Sequence, residues 1–240
     1  ERARRLYAER RRIAESFCRE FGFKLTEVNS NIMDAFEQNH FITHTFTSMF
    51  AVFVLQKLYS IYYYASGRTL ASFSLSDTSR DCSYYDLLLA ESFSTDHLRI
   101  YSEGGTLSRL EKTRVVVDYA PSHKYLNVCT DTSTNCSRCE KCTRTLLALD
   151  MLGRLDDYRA VFDVDYYRAH KSDYLVTLVA KKWEHNVVYE ELYPYFRKQL
   201  TLGIYLRAVP CYMLYWSVRN IPDGKLRGVL KRIYHSLRKK

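Results

Sequence analysis

Residues 129–142 read CTDTSTNCSRCEKC, with thiols at Cys129, Cys136, Cys139 and Cys142 in the spacing C-x6-C-x2-C-x2-C. Thiolates are soft ligands, and four of them close a tetrahedral structural zinc site at Zn–S distances of about 2.3 Å. Two-residue gaps let neighbouring sulfurs turn toward one ion. Arg138 and Lys141 lie inside the cluster, and their charge helps hold thiolates against the negative charge of a four-thiolate site. Spacing alone does not separate zinc from an iron–sulfur cluster, and disulfides or free thiols are the remaining alternatives. Four closed ligands leave no open coordination position, so the metal is expected to be structural.

The segment after the last ligand predicts a helix. Leu146, Leu147, Leu149, Met151 and Leu152 recur at helical intervals, and Gly153 marks a break. The metal loop is thus expected to staple a helix onto the fold.

Outward from this stretch, strands and helices alternate. An Arg-rich amphipathic helix is predicted over 1–21, with Leu6, Ile13, Phe17 and Phe21 on one face and Gly22 closing it. The run Arg10–Arg12 reads as its solvated face. Lys24–Ser30 reads as a short strand, with Asn29, Ser30 and Asn31 at its C-terminal end. A helix follows over about 44–59. Strands are predicted at 61–67 and 98–105, rich in β-formers and each followed by a polar loop or a turn. Between them lie a Ser- and Asp-rich loop at 72–85 and a short helix at 87–93. A helix over 106–120 is expected to be capped by Thr106. Such alternation implies an α/β fold with a parallel sheet covered on both faces. Ligands bind at the C-terminal strand ends of such sheets, which nominates Asn31 and Ser66.

After about Tyr158 the strands stop and helices are predicted to the end. Leu200–Val218 is apolar but interrupted by Arg207 and Pro210. It reads as a buried or interfacial helix pair rather than a membrane span. Ile221–Gly224 is a turn. Lys225–Lys240 is amphipathic, with a stripe of Leu226, Val229, Leu230, Ile233, Tyr234 and Leu237 and seven Lys or Arg on the remaining surface. Docking of this helix on the fold, contact with a membrane surface and contact with nucleic acid are its three readings.

The chain has 240 residues, 47% of them apolar, with 21 Tyr, 8 Gly and 4 Pro, which argues against disorder. Its net charge of +9 suits a solvated basic surface or a partner bearing phosphate. Seven cysteines, four of them clustered, fit a reducing compartment, and a cytoplasmic location is expected. No secretory leader pattern opens the sequence.

Three segments carry a family resemblance over residues 1 to about 158. VCTDTSTNCSRCEKCTRT resembles the zinc motif of the PP-loop ATP-pyrophosphatases, and most closely that of the 7-cyano-7-deazaguanine synthase-like group. SRLEKTRVV, at Ser108–Val116, resembles the Lys-bearing helix start upstream of that motif. SLSDTSRDCSYYD, at 74–86, stands in the place of the family's substrate loop. The resemblance implies a Rossmann-like, HUP-type sheet with helices on both faces. It implies a ligase that adenylates a small carboxylate with ATP and Mg, releasing pyrophosphate before a nucleophile such as ammonia attacks. It implies phosphate contacts from Ser108, Arg109 and Lys112, with Asn31 and Ser66 at the strand ends, and substrate contacts from Asp77, Asp81 and Asp86. A surface ion pair with Glu111 or Asp118 is the plainer alternative for Arg109 and Lys112. The family's S-G-G-x-D-S loop does not occur in these 240 residues. The chain is therefore expected to be either a degenerate relative that no longer hydrolyses ATP or, preferred here, the C-terminal portion of a longer enzyme, inactive alone. Domains are expected at 1–158, the α/β part with the zinc knuckle, and 159–240, a helical extension. Expected partners are ATP and a small-molecule substrate, with a homo-oligomer and a membrane surface reached through 225–240 also open. A zinc-stabilised binding module is the competing class. Nucleic acid fits it poorly, since no aromatic residue lies between Cys129 and Cys142 for base stacking.

Overall fold

Helix α1, Arg2–Phe21, forms where the apolar stripe predicts it, and Gly22 ends it at φ 70°. The structure, a computed structural model, describes residues 1–36, 39–76, 81–221 and 225–237. Asp77 and residues 222–224 of the expected turn lie outside the described residues. By its contacts the chain divides into two compact units, Glu1–Leu25 with Thr113–Lys240, and Thr26–Lys112.

The second unit is mixed α/β. It holds α2 (Ile32–Phe36), α3 (His40–Val54), β1 (Ile61–Ala65), α4 (Asp86–Ser92) and β2 (Arg99–Glu103). Strands β1 and β2 pair in parallel, with Ile61 opposite Arg99 and Ala65 opposite Glu103. Alternation sends Tyr62, Tyr64 and Ile100 to one face, where they pack with Met49 and Val52 of α3, Ala90 of α4, and Leu98. The other face carries Ile61, Tyr63 and Tyr101 in the open, and the Tyr63 and Tyr101 rings stack at 5.8 Å.

Residues 24–30 do not form the expected strand. Most of their side chains are exposed, and the Tyr59 hydroxyl donating to Thr26 Oγ1 at 2.7 Å is no substitute for a backbone ladder. A strand needs a partner for its amides and carbonyls, and among the described residues none lies alongside. Helix α3 starts earlier than predicted because Asn39 accepts the Phe41 amide and caps it.

Helix α5, Arg109–Val117, crosses the boundary between the units. Its cap is Ser108 rather than Thr106. Ser108 N–H donates to Glu111 Oε2 at 2.7 Å, and Glu111 N–H donates to Ser108 Oγ at 3.3 Å. This reciprocal S-x-x-E box satisfies two otherwise orphaned amides.

The first unit is helical. It contains α1, the end of α5, α6 (Ser122–Tyr125), α7 (Glu140–Met151), α8 (Val164–Ala169), α9 (Lys171–Trp183), α10 (Val187–Phe196), α11 (Leu202–Asn220) and α12 (Lys225–Leu237). Helix α9 is its centre, packed by α7, α8, α10 and α11. Leu146, Leu147 and Leu149 of α7 and Leu178 and Val179 of α9 are fully buried. The apolar stretch after Leu200 is one helix, not a pair, and it runs through Pro210. Proline removes an amide from the ladder and leaves a carbonyl one turn earlier unpaired. Leu206 and Pro210 are both exposed, so water can reach that carbonyl. Among the described residues no helix is long and apolar enough to cross a membrane.

Truncating Leu178, which is 0% exposed, is expected to cost roughly 2–5 kcal/mol of stability. Leu206→Ala, at a position 63% exposed, should shift it by less than about 0.5 kcal/mol. Urea unfolding followed by circular dichroism distinguishes the two, and equal losses would contradict this packing.

Candidate metal centre and candidate anion site

The four predicted ligands come together. Cys129 Sγ lies 3.8 Å from Cys139 Sγ, and Cys136 Sγ lies 3.9 Å from Cys142 Sγ. All four sulfurs are within 4.8 Å of one another. Zn–S bonds of about 2.3 Å at tetrahedral angles place sulfurs about 3.8 Å apart, so the donor set fits one such ion. These separations are far longer than the roughly 2.05 Å of a disulfide bond, and all four cysteines are free.

Local chemistry builds this site. Cys139 caps α7, and Cys142 sits in its first turn, where unpaired amides favour thiolate. Ser137 adopts φ 60°, a left-handed turn that a residue with a Cβ enters only when its surroundings hold it. They do: Tyr174 donates its hydroxyl to Ser137 O, and Asp163 N–H donates to Ser137 Oγ at 2.8 Å. Asn135 is a second strut. Its Oδ1 accepts the amides of Val128 and Cys129, and its Nδ2 donates to Leu126 O and Val161 O. Thr132 Oγ1 donates to Cys129 Sγ at 3.1 Å, and Cys139 N–H donates to Cys136 Sγ at 3.3 Å. A hydrogen bond from Cys142 holds the Cys139 thiol down at about 5, against its burial. The same pairing, together with burial, pushes Cys142 up.

Arg10 is not solvated as expected. It reaches from α1 to donate to Cys129 O at 2.8 Å and Thr132 O at 2.9 Å. Arg138 lies over the Tyr166 ring at 4.3 Å. Sequence reasoning missed the roles of Arg10, Asn135 and Ser137, whose partners are backbone groups of the knuckle or of segments beyond it and, for Ser137, also the Tyr174 hydroxyl. The Asn-x-Ser of Asn135–Ser137 was the one local signal, two turn-forming residues flanking a ligand.

In the Thr26–Lys112 unit, several expected anion-site residues gather past the C-terminal ends of β1 and β2. Lys112 Nζ donates to Ser66 O at 3.0 Å, and Arg109 Nη2 donates to Gly67 O at 3.4 Å. Gly104 has φ +75°, and a Cβ there would meet Lys112 Cε at 3.1 Å. Glycine thus permits both the turn and the passage of the lysine. The alternative partners of these cations are engaged elsewhere: Glu111 caps its own helix, and Asp118 pairs with Arg154 at 3.0 Å. Burial lowers the Lys112 pKa, as does Arg109, while Asp86 opposes them. Asp86, 3% exposed, lies with Oδ2 3.5 Å from the Gly67 amide. Its pKa is raised by burial.

Asp81 belongs to a network at the same edge. Its Oδ1 accepts from the Ser83 amide at 2.9 Å and the Ser83 hydroxyl at 2.7 Å, and it meets His44 Nε2 at 3.1 Å. Its Oδ2 accepts from Arg68 at 3.3 Å, and the Arg68 guanidinium lies 3.6 Å over the Tyr84 ring. Burial opposes ionisation of Asp81, but the bonds from Ser83, His44 and Arg68 outweigh it and hold the carboxyl at about 2. His44, Asp81 and Cys82 also stand close enough to share a cation. The adjacent guanidinium and the hydrogen bonds on Asp81 make this a neutralised network instead.

The other expected residues fall elsewhere. Ser108 is consumed by the helix cap. Asn31 is not at a strand end; its carbonyl accepts the Ala35 amide at the start of α2. Asp77 lies outside the described residues. His44 and Arg68 were missed, because nothing in the sequence joins them to Asp81. In comparisons with known proteins, no family model, no curated protein and no solved structure matches the chain.

Because its folded-state pKa is lowered from 3.8 to about 2, Asp81 adds stability above the unfolded value. That contribution is lost as pH falls through about 4 toward 2. Asp81→Asn is expected to lower stability at pH 7 and to flatten the acid limb in that window. A variant with the parent's full acid dependence there would show that Asp81 does not carry it.

Proposed function

We propose that this chain is a zinc-stapled portion of an ATP-using enzyme of the PP-loop pyrophosphatase type, with a HUP-type, Rossmann-like arrangement as its parent fold. One observation carries the proposal. Arg109 and Lys112 open a helix and both reach the Ser66–Gly67 turn beyond β1, the kind of edge where parallel sheets take nucleotides. The sequence resemblance had nominated those same two cations.

The proposed chemistry follows from charge. Cleaving ATP to an adenylate and pyrophosphate gathers negative charge on the leaving group. Preorganised cations and amides lower the energy of that state. Lys112 and Arg109 would supply the cations, and the N-terminus of α5 adds a favourable field. Asp86, kept buried beside Gly67, would hold the turn that presents Ser66. Bound Mg would screen the phosphates. Asp81, clamped by Arg68, Ser83 and His44, is suited to shaping the loop that faces the small carboxylate substrate. The S-G-G-x-D-S cradle is not among these residues, so turnover is expected only where that element is supplied.

Zinc held by Cys129, Cys136, Cys139 and Cys142 contributes folding free energy, since all four positions are closed. Purified protein should contain about one zinc per chain. Cys142→Ser should lower metal content and the melting temperature together. Iron with labile sulfide, or an unchanged melting temperature, would rule out a structural zinc.

Titration of the 240-residue chain with ATP tests the anion site. Lys112→Ala should weaken binding about ten- to a hundredfold, the loss of one charge-assisted hydrogen bond of roughly 1.5–3 kcal/mol. Zinc content should stay as in the parent, and the melting temperature should fall only slightly, by the loss of the hydrogen bond to Ser66 O. Equal ATP affinity in parent and variant, or no binding in either, would remove the proposal.

A further inference from the structure

Helix α11 shows two faces. Ile204 and Ala208 are buried, on the helix that packs against α9. Leu202, Leu206, Val209, Met213 and Trp216, spaced by four, three, four and three residues, are 41–74% exposed. That spacing lines them along one side of the helix. Helix α12 packs on α11 and repeats the pattern. Leu226, Val229 and Ile233 are exposed on one side, and Arg232 on the flank of that row and Lys231 across the helix are exposed too. Apolar rows of this length on adjoining helices are costly to leave in water, at about 25 cal/mol per Å² of apolar surface.

Charge identifies what would cover them. Residues 202–240 contain nine Lys or Arg and one acid, Asp223, so they carry eight of the chain's nine net positive charges. A second copy docking this face on itself would set like charge against like. A nucleic acid would meet the cations and leave Leu, Met and Val exposed. An anionic lipid surface satisfies both properties, because headgroup phosphates meet the cations while the acyl boundary receives the apolar side chains. Trp216 suits the interfacial depth. No described helix can span, so the contact lies in the plane of the surface. We propose that α11 and α12 form a docking surface for an anionic membrane.

The test uses the full chain with Trp183→Phe, which leaves Trp216 as its one tryptophan. It should float with vesicles containing about one-third phosphatidylserine and bind at least tenfold more weakly to phosphatidylcholine alone. Trp216 emission should shift to the blue on binding, and salt at about 0.5 M should release the protein. Leu206→Glu with Met213→Glu should abolish flotation. Lys231→Glu with Arg232→Glu should weaken it at least about tenfold. Unchanged melting temperature and zinc content show that either variant is folded; a variant failing that check is replaced by Leu206→Gln with Met213→Gln, with loss of flotation again expected. Absence of flotation with the anionic vesicles overturns the proposal. So does flotation unaffected by either pair of substitutions. Dimerisation without lipid that Leu206→Glu abolishes would assign the stripe to a second copy instead, and RNA displacing the protein from vesicles while leaving Trp216 emission in its lipid-free position would assign the charge to nucleic acid.

Discussion

Four sulfurs drawn to within 4.8 Å of one another impose the central constraint on the helical unit. Bringing them together requires a left-handed turn at Ser137, a cap at Cys139 and a strut at Asn135. Segments distant in sequence hold two of these, the Ser137 turn through Tyr174 of α9 and Asp163 at the start of α8, and Asn135 through the Val161 carbonyl. The knuckle is therefore not a separate appendage. Its turns form part of the floor on which α7, α8 and α9 assemble, and those helices keep the thiols in register for one ion.

What the sequence made legible follows from the range of the interactions involved. The clustering of the four cysteines, the start of α7 within them and the two strands rest on local spacing, and local spacing was sufficient. Lys24–Ser30 contains the β-formers Thr26 and Val28, but a strand exists only with a neighbour, and propensity does not say whether one is present. Thr106 and Ser108 both look like caps. The glutamate three residues after Ser108 favours the second, and the structure uses it. Arg10 could not be read at all, since its acceptors are carbonyls, and every residue has one. The Rossmann-like parent fold is a matter of resemblance, and the described strands amount to a parallel pair.

The edge of that pair shows how desolvation and charge are balanced. Lys112 and Asp86 are each pushed toward neutrality by burial, whereas Asp81 is pulled firmly into its ionised form. The difference lies in hydrogen bonds. Asp81 receives four from three side chains and an amide, while Asp86 has amide contacts and a buried position. Two carboxylates five residues apart thus acquire different electrostatic characters without any change of residue type.

The contact between Arg10 and Cys129 spans 119 positions, and residues 26–112 form their own unit within that span. The consequence concerns birth rather than function. During synthesis α1 leaves the ribosome before the knuckle and has no docking site until the knuckle follows, many seconds later at typical elongation rates of about 5–20 residues per second. The inserted unit can complete its own pairing in the meantime, since its strands and helices contact one another locally. The helical unit is then closed late, by a segment made early, and its Phe17 and Phe21 rings must be kept from other partners until Tyr125 arrives to pack against them.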